Sequence, residues 1–258
     1  MDIVIPTCGR WKSQPTHEQL EAARIPHMLV VQFLEFKHYA KYESPTTRIL
    51  ILPDHINTIA PTRDWIVQNA GTHTKLLMLD DDLTFYRRRM DDPTKLRDLE
   101  LGDMERLIED IQSELEWHPH VGIAAREGAN RCTDSTIHNT RIMRVLGYRR
   151  DILMRECIAF DRMEVMEDFD VALRLLRLGM RNCILNWWAN NQAGSGVSGG
   201  CSGFRTRELQ AINAEKLARF HPGFVKVVKK ETKGSFGGGV RTDVLIQWKK
   251  AYQAGCAK

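Results

Sequence analysis

A chain of 258 residues, 43% hydrophobic and 27% charged, can bury a real core in one large or two small domains. It carries no run near the roughly 18 apolar residues of a membrane span and no basic, apolar leader ahead of its first strand pattern, so the expectation is a cytoplasmic protein with no membrane partner. The net charge of +4 is uneven: residues 205–258 hold 12 Lys and Arg against 4 Asp and Glu, leaving an acidic front and a basic tail. That asymmetry suggests a phosphate-bearing partner, a solvated basic face being the plainer explanation.

Asp2–Pro6 (DIVIP) reads as a β-branched strand closed by Pro6 and the turn residues Thr7, Cys8 and Gly9, with Arg10 directly after. A polar helix is expected over 17–23 and a second strand over 28–33. At that strand's end, Gln32 and Glu35 could bond a ligand base or ribose, or simply face solvent. A third strand, 48–52, ends at Pro53. Asn57 or Thr58 then caps a helix with Pro61 in its first turn and Gly71 at its C-terminal cap. On that helix Arg63 is the odd member of an apolar stripe. A cation held on a core-facing side needs an anionic partner, and the nearest in register is the aspartate cluster after the next strand, or a phosphate beside it.

That next strand, KLLML at 75–79, runs without a polar break into Asp80, Asp81 and Asp82. Three adjacent carboxylates at the edge of an apolar core disfavour one another's ionised forms unless a positive charge sits among them. On an extended chain Asp80 and Asp82 project to one side and Asp81 to the other, so the outer two could share one ion. All-oxygen ligation favours Mg²⁺ or Mn²⁺. A solvated acidic turn is the bland alternative, weakened by the preceding strand, since open α/β sheets bind ligands outside the carboxyl ends of their strands.

After a polar link beginning at Arg87–Arg89, Gly102 and Asp103 open an amphipathic helix whose Met104, Leu107, Ile108, Ile111 and Leu115 share a face. A strand over 121–125 and a long irregular loop over 126–139 follow, then extended segments over 141–148 and 157–161. The helix 164–180 carries Glu164, Glu167, Asp168 and Asp170 at its head. Acids there complement the helix dipole, but four exceed what that effect requires, which leaves one or two for chemistry. NCILNWW at 182–188 is a further strand. A glycine-rich loop from Asn190 to Thr206, closed by Arg205 and Arg207, could be a lid or a set of amides aimed at phosphate. Then come a helix (209–220), His221, a lysine strip (Lys226, Lys229, Lys230, Lys233), a second glycine loop and a terminal helix. The six cysteines form no C-x-x-C pair, so neither a zinc site nor a disulfide framework is signalled and most are expected to be buried small hydrophobes. The strand, helix, strand rhythm predicts an α/β fold with a mostly parallel, doubly wound sheet flanked by helices.

The strand ending I-P-T-x-G-R, the arginine helix before D-D-D, and E-D heading D-x-A-L-R-L-x-x-x-G together resemble a GT-A fold glycosyltransferase over residues 2–225. Within that fold, GGCSGFRTRE followed by a helix and FHPGFVK is similar to the phage TET-associated glycosyltransferases, which act on 5-hydroxymethylpyrimidines in DNA. The resemblance implies a GT-A domain over 1–225, with a nucleotide-sugar half (1–85) and an acceptor half (86–225), and a basic extension, 226–258, packed on it. It further implies a metal-dependent, inverting transfer from a nucleotide-sugar, a UDP-sugar, to 5-hydroxymethylcytosine or a related base in DNA. Asp80 and Asp82 would be the D-x-D pair that holds Mn²⁺ or Mg²⁺ and the donor, with Asp81 in the same donor contact, and His221 would complete the metal's ligands. Thr7 and Arg10 would touch the nucleotide, Arg63 the diphosphate, and Arg205 the departing phosphate. Asp168, or failing it Glu167, would be the general base; the resemblance does not choose between them. Trp187 or Trp188 could stack on an extruded base, with the lysine strip on the DNA backbone, although core packing is the expected fate of at least one tryptophan. Rival readings are a saccharide, lipid-carrier or protein acceptor, a nucleotidyltransferase, and a non-catalytic nucleic-acid-binding module.

Overall fold

In the computed structural model the described residues are 1–126, 133–192, 206–232 and 239–257. Arg205, most of the first glycine loop (193–205), Lys233 and the second glycine loop up to Gly238 lie outside them. Among the described residues the architecture is α/β, built on one ten-stranded sheet and a separate two-stranded one. The parallel block of the large sheet is β3 (Thr47–Leu52), β2 (His27–Gln32), β1 (Asp2–Pro6) and β4 (Lys75–Leu79), in that spatial order. Beyond β4 the pairing is mixed: β9 (Val145–Arg149) runs antiparallel to β4 and to β7 (His120–Ala125), and β7 runs parallel to β10 (Cys183–Gln192). Antiparallel β5 (Leu83–Arg88) and β6 (Leu96–Asp98) close that edge, and β8 (Thr136–His138) also pairs with β10.

The apolar runs of β1, β2 and β4 are buried on both faces, which is why they read as continuous rather than alternating. Val4, Val30, Leu76 and Met78 turn to one core, with Ile66 and Val67 of α3 (Ile59–Asn69) and Val171 and Leu175 of a later helix, Glu167–Arg177. Ile3, Ile5, Leu29, Leu77 and Leu79 turn to the other, with Leu20 of α1 (Pro15–Ala22) and Met104, Leu107 and Ile111 of α4 (Asp103–Glu114). A one-turn helix, α2, spans Phe36–Tyr39 and a short α5 spans Arg150–Arg155, so the helix from Glu167 is α6. A third cluster joins Phe169, Leu173 and Leu176 of α6 to α7 (Arg207–Phe220), to the hairpin of β11 (Val225–Thr232) and β12 (Gly239–Ile246), and to α8 (Trp248–Cys256). A Cβ on Gly255 would stand 2.4 Å from the Gly179 amide nitrogen, so this glycine permits α8 to lie against the end of α6.

Several expectations change. Arg87 and Arg88, expected to open a polar link, instead end strand β5, which pairs with β10 on one side and β6 on the other. The long loop contains β8, residues 157–161 form no strand, and Lys226, Lys229 and Lys230 of the lysine strip lie on β11. Among the described cysteines only Cys183 is buried, while Cys8, Cys157 and Cys256 are exposed. No described helix is long and apolar enough to cross a membrane.

Gly71, at φ +80°, follows α3 as expected of a C-terminal cap, and a Cβ there would meet the Asp2 carboxylate at 2.3 Å. That carboxylate is pinned by the His73 amide at 2.9 Å and by Arg150 at 2.8 Å, so it cannot retreat cheaply. Gly71→Ala is therefore expected to lower stability by about 2 kcal/mol or more in urea unfolding; an unchanged midpoint would show that Asp2 is free to move.

Candidate active site

Because β1 and β4 are parallel neighbours, with Val4 opposite Met78, their carboxyl ends open at the same edge. The loop after β1 and the aspartates after β4 therefore meet. Thr7 Oγ1 donates to Asp81 Oδ2 at 2.6 Å. Arg10 Nη1 lies 2.5 Å from Asp81 Oδ1 and 2.6 Å from Asp82 Oδ2. The loop is fixed in turn: Gln14 Nε2 donates to Thr7 Oγ1 (2.9 Å), the Tyr39 hydroxyl lies 3.0 Å from the same oxygen, and Glu35 accepts from the Gly9 amide at 2.9 Å. Glu35 thus holds the loop, and Gln32 ends the neighbouring strand. At the head of α1, Thr16 Oγ1 donates to the Asp80 carbonyl and accepts from the Leu83 amide, clamping the acidic turn from below.

Asp81 and Asp82 lie in a turn, not on an extended chain. The strict alternation expected of the three acids is lost: Asp81 and Asp82 share Arg10, whereas Asp80 faces Arg63, with Nη2 at 3.3 Å. Gln192, at the end of β10, donates to Asp82 Oδ2 at 3.0 Å.

Arg63 is buried as its position in an apolar stripe requires, and Asp80 is one of its partners. Its shorter contact, however, is Glu167 Oε1 at 2.5 Å, across 104 positions of sequence. Burial opposes charge on this guanidinium, but Glu167, Asp80 and Asp168 outweigh it and hold Arg63 above its ordinary pKa. The Asp80 carboxyl is pushed up to about 6 by its burial, which Arg63 opposes and Asp81, Asp82 and Asp168 reinforce. Burial likewise raises Asp81, against the Thr7 hydrogen bond and Arg10. Asp168, beside Glu167 in the first turn of α6, is half-buried, and among the described residues it has no hydrogen bond or ion pair.

Beneath this pair sits Tyr148 of β9, fully buried, stacked on His120 at 4.2 Å between ring centroids, with a hydroxyl that lacks a described hydrogen-bond partner. Burial pushes His120 down to about 4, so the ring is neutral. Arg10 Nε, Gln14 Oε1, Arg63 Nε and Asp82 Oδ1 are unpartnered too, so five of the nine such buried atoms among the described residues gather here. Buried polar atoms are nearly always bonded, and a cluster of exceptions marks room for water, an ion or a ligand.

Two expected site residues are placed elsewhere. Trp188 is 1% exposed, packs in the core with α4 and donates Nε1–H to Asp110 at 2.7 Å, so it has no face for a ligand; Trp187 is the exposed member of the pair. His221 is buried with both nitrogens engaged. A guanidinium only donates, so Nδ1 accepts from Arg177 at 3.2 Å, which leaves Nε2–H for Asp170 Oδ1 at 2.8 Å. His221 therefore ties α7 to α6 instead of offering a metal ligand, and Asp170 is spent on it. Sequence reasoning missed Gln14, Tyr39, Tyr148 and Gln192; an unpartnered tyrosine or a clamping glutamine has no spacing signature.

A family model described as TET-Associated Glycosyltransferase matches residues 1–199. The chain is 26% identical over 209 residues to the beta-glucosyl-HMC-alpha-glucosyl-transferase of Enterobacteria phage T2, covering 74% of this chain and 72% of that protein. It is 25% identical to the phage T6 protein of the same name, covering 83% and 81%. Among solved structures, a mannosyltransferase of Pyrobaculum calidifontis in complex with GDP-Man and Mn²⁺ superposes with a TM-score of 0.51 at 12% identity, over 84% of this chain and 64% of that one. GalNAc-T7 with UDP, GalNAc and Mn²⁺ gives 0.50 at 11%, over 74% and 43%, so the chain spans under half of that protein. At these identities the structures show a shared GT-A fold.

Replacing Arg63 by Met strands Glu167 as a buried lone carboxylate and is expected to cost about 3–5 kcal/mol in chemical denaturation. Adding Glu167→Gln should restore much of the loss. A double variant no more stable than the single one would show that the pair is not energetically linked.

Proposed function

The chain belongs to the TET-associated glycosyltransferases, and on that premise we propose that it moves a sugar from a nucleotide-sugar, a UDP-sugar, to the hydroxyl of a 5-hydroxymethylpyrimidine in DNA, with a divalent metal and inversion at the sugar carbon. Family membership already decides for glycosyl over nucleotidyl transfer. One observation carries the rest: at the strand ends and the head of α6 four carboxylates pair with two guanidiniums, Asp168 lies near Arg63 as a fifth acid, and orphaned polar atoms cluster among them. That excess negative charge suits an added cation. All-oxygen donors fit Mg²⁺ or Mn²⁺, and Asp80 and Asp82 would hold it, Asp82 Oδ1 being buried with no described partner. When bound, the ion supplies neutralisation of the departing diphosphate.

The chain's own residues account for the other requirements. Thr7 and Arg10 flank the nucleotide, while Arg63 keeps Asp80 oriented and contributes positive charge on the phosphate side. An alcohol is a poor nucleophile near neutral pH, so a carboxylate must take its proton as the new bond forms. Asp168 suits that role better than Glu167, because Glu167 is committed to Arg63 and Asp168 is unpartnered among the described residues. A base acted on in DNA leaves the stack. Exposed Trp187 and the lysines of β11 are suited to the base and the backbone.

The phage relatives' name favours a second reading of the acceptor. It describes glucosyl transfer to beta-glucosyl-HMC. Read as glucosylated hydroxymethylcytosine, that acceptor presents the hydroxyl of a sugar already on the base.

The deciding experiment supplies Mn²⁺ and labelled UDP-sugars with DNA containing cytosine, 5-hydroxymethylcytosine, 5-hydroxymethyluracil or β-glucosylated 5-hydroxymethylcytosine. Label is expected only in modified DNA, and the arm that receives it identifies the acceptor. Label confined to free saccharide or protein contradicts a DNA acceptor. Asp168→Asn should leave donor binding intact while slowing transfer at least about 100-fold, and proton NMR of the product should show the inverted anomer. Normal turnover by the variant would rule out Asp168 as the base, and a retained anomer would rule out single displacement.

A further inference from the structure

Away from the acidic turn, two groups of side chains have donor atoms within 4.8 Å of one another: His17, Glu21 and His27, and His118, His138 and Cys183. The first is satisfied internally. Its two histidines bond each other at 2.8 Å, and Glu21 accepts from the hydroxyls of Thr46 and Thr47, each at 2.7 Å.

The second group differs. Cys183 of β10 and His138 of β8 are direct cross-strand partners, so their side chains stand side by side on one face of the sheet. His118 arrives from the turn between α4 and β7, its ring 5.2 Å from that of His138 between centroids and tilted by 50°. One histidine already has a nitrogen oriented by main chain, His138 Nδ1 lying 3.2 Å from the Asn182 carbonyl, while His118 Nε2 lies 3.7 Å from the Glu114 carboxylate. A backbone carbonyl that fixes an imidazole by one nitrogen leaves the other aimed, the arrangement seen around bound transition metals; His138 Nε2 has only a long 3.5 Å contact, with the Thr136 hydroxyl. Among the described residues, none of the three donors is hydrogen-bonded to another of the three.

We propose that His118, His138 and Cys183 form a second metal site, distinct from the acidic turn, that takes a Zn²⁺-class ion through two imidazoles and a thiolate. The donor set excludes Mg²⁺ and Ca²⁺, which prefer oxygen, and suits a borderline-soft ion in tetrahedral geometry. Glu114, whose carboxylate is 3.7 Å from His118 Nε2, stands in reach of the fourth position and balances charge against nearby Arg181. Burial pushes the free thiol up to about 12, so the thiol proton must leave to solvent as the sulfur–metal bond forms. His138 is only half-buried, which leaves an approach from solvent. An ion here would fasten the end of α4, β8 and β10 together, reinforcing the acceptor half of the sheet without entering the transfer reaction.

The test strips the full chain of metal with a chelator, fills the acidic turn with excess Mn²⁺, and titrates Co²⁺ as a spectroscopic stand-in for Zn²⁺. One equivalent should produce a thiolate-to-cobalt charge-transfer band together with tetrahedral ligand-field bands. Zn²⁺ should erase both, and should raise the thermal midpoint of the wild type. Cys183→Ser should lose the charge-transfer band and the Zn²⁺-dependent rise in midpoint. His138→Ala, at a half-buried position, should weaken Co²⁺ binding at least tenfold. Circular dichroism of each metal-free variant guards against misfolding. A charge-transfer band that survives Cys183→Ser, pointing to one of the exposed cysteines, or a wild type that shows none, overturns the site.

Discussion

A guanidinium without water must be answered by carboxylates, and Arg63 is answered from two directions: Asp80 at the end of β4 and Glu167 at the head of α6. The isolated buried charge would be prohibitive, and the pair is tolerable only with close geometry on both sides. That requirement fixes α3, the acidic turn and α6 relative to one another. It also sets Asp168, the residue after Glu167, beside the acidic turn with its carboxylate uncommitted. The charge balance of the whole site follows from this arrangement, since Arg63 and Arg10 together offset only part of the acids they face.

The sheet supplies the frame for that charge cluster. Parallel β1 and β4 deliver Thr7, Arg10 and the aspartates to one edge. The switch to antiparallel pairing at β9 brings Tyr148 and its stacked partner His120 beneath the pair, and the far end of β10 brings Gln192 to Asp82. Residues far apart in sequence thus meet because strand direction changes next to the site.

Much of this was legible in the sequence. The runs DIVIP and KLLML are buried on both faces and therefore uniformly apolar, so their strands and the ligand edge beyond them could be placed from composition alone. Arg63 was legible for a related reason, as a cation has no business in an apolar stripe without a partner, though only Asp80 of its two partners was close enough in sequence to be proposed. The turn after β4 defeated the alternation argument because Thr16 and the β5 strand pull Asp81 and Asp82 out of extended conformation. Trp188 and His221 misled in the same way: aromatic and imidazole side chains advertise ligand contacts, but burial gave one to Asp110 and the other to Asp170 and Arg177. The grouping of His118, His138 and Cys183 had no spacing to betray it, since cross-strand pairing and not local sequence assembles it.

The proposed transfer requires that the acids closing β4, held in place by two arginines, receive a divalent cation with the donor's diphosphate. Electron paramagnetic resonance of Mn²⁺, titrated with the protein in the presence of UDP, measures this directly by the loss of the free-ion signal. The wild type is expected to sequester one Mn²⁺ per chain, and a folded Asp82→Ala variant to leave the free-ion signal intact. Equal sequestration by both proteins, or none by the wild type, would contradict that requirement.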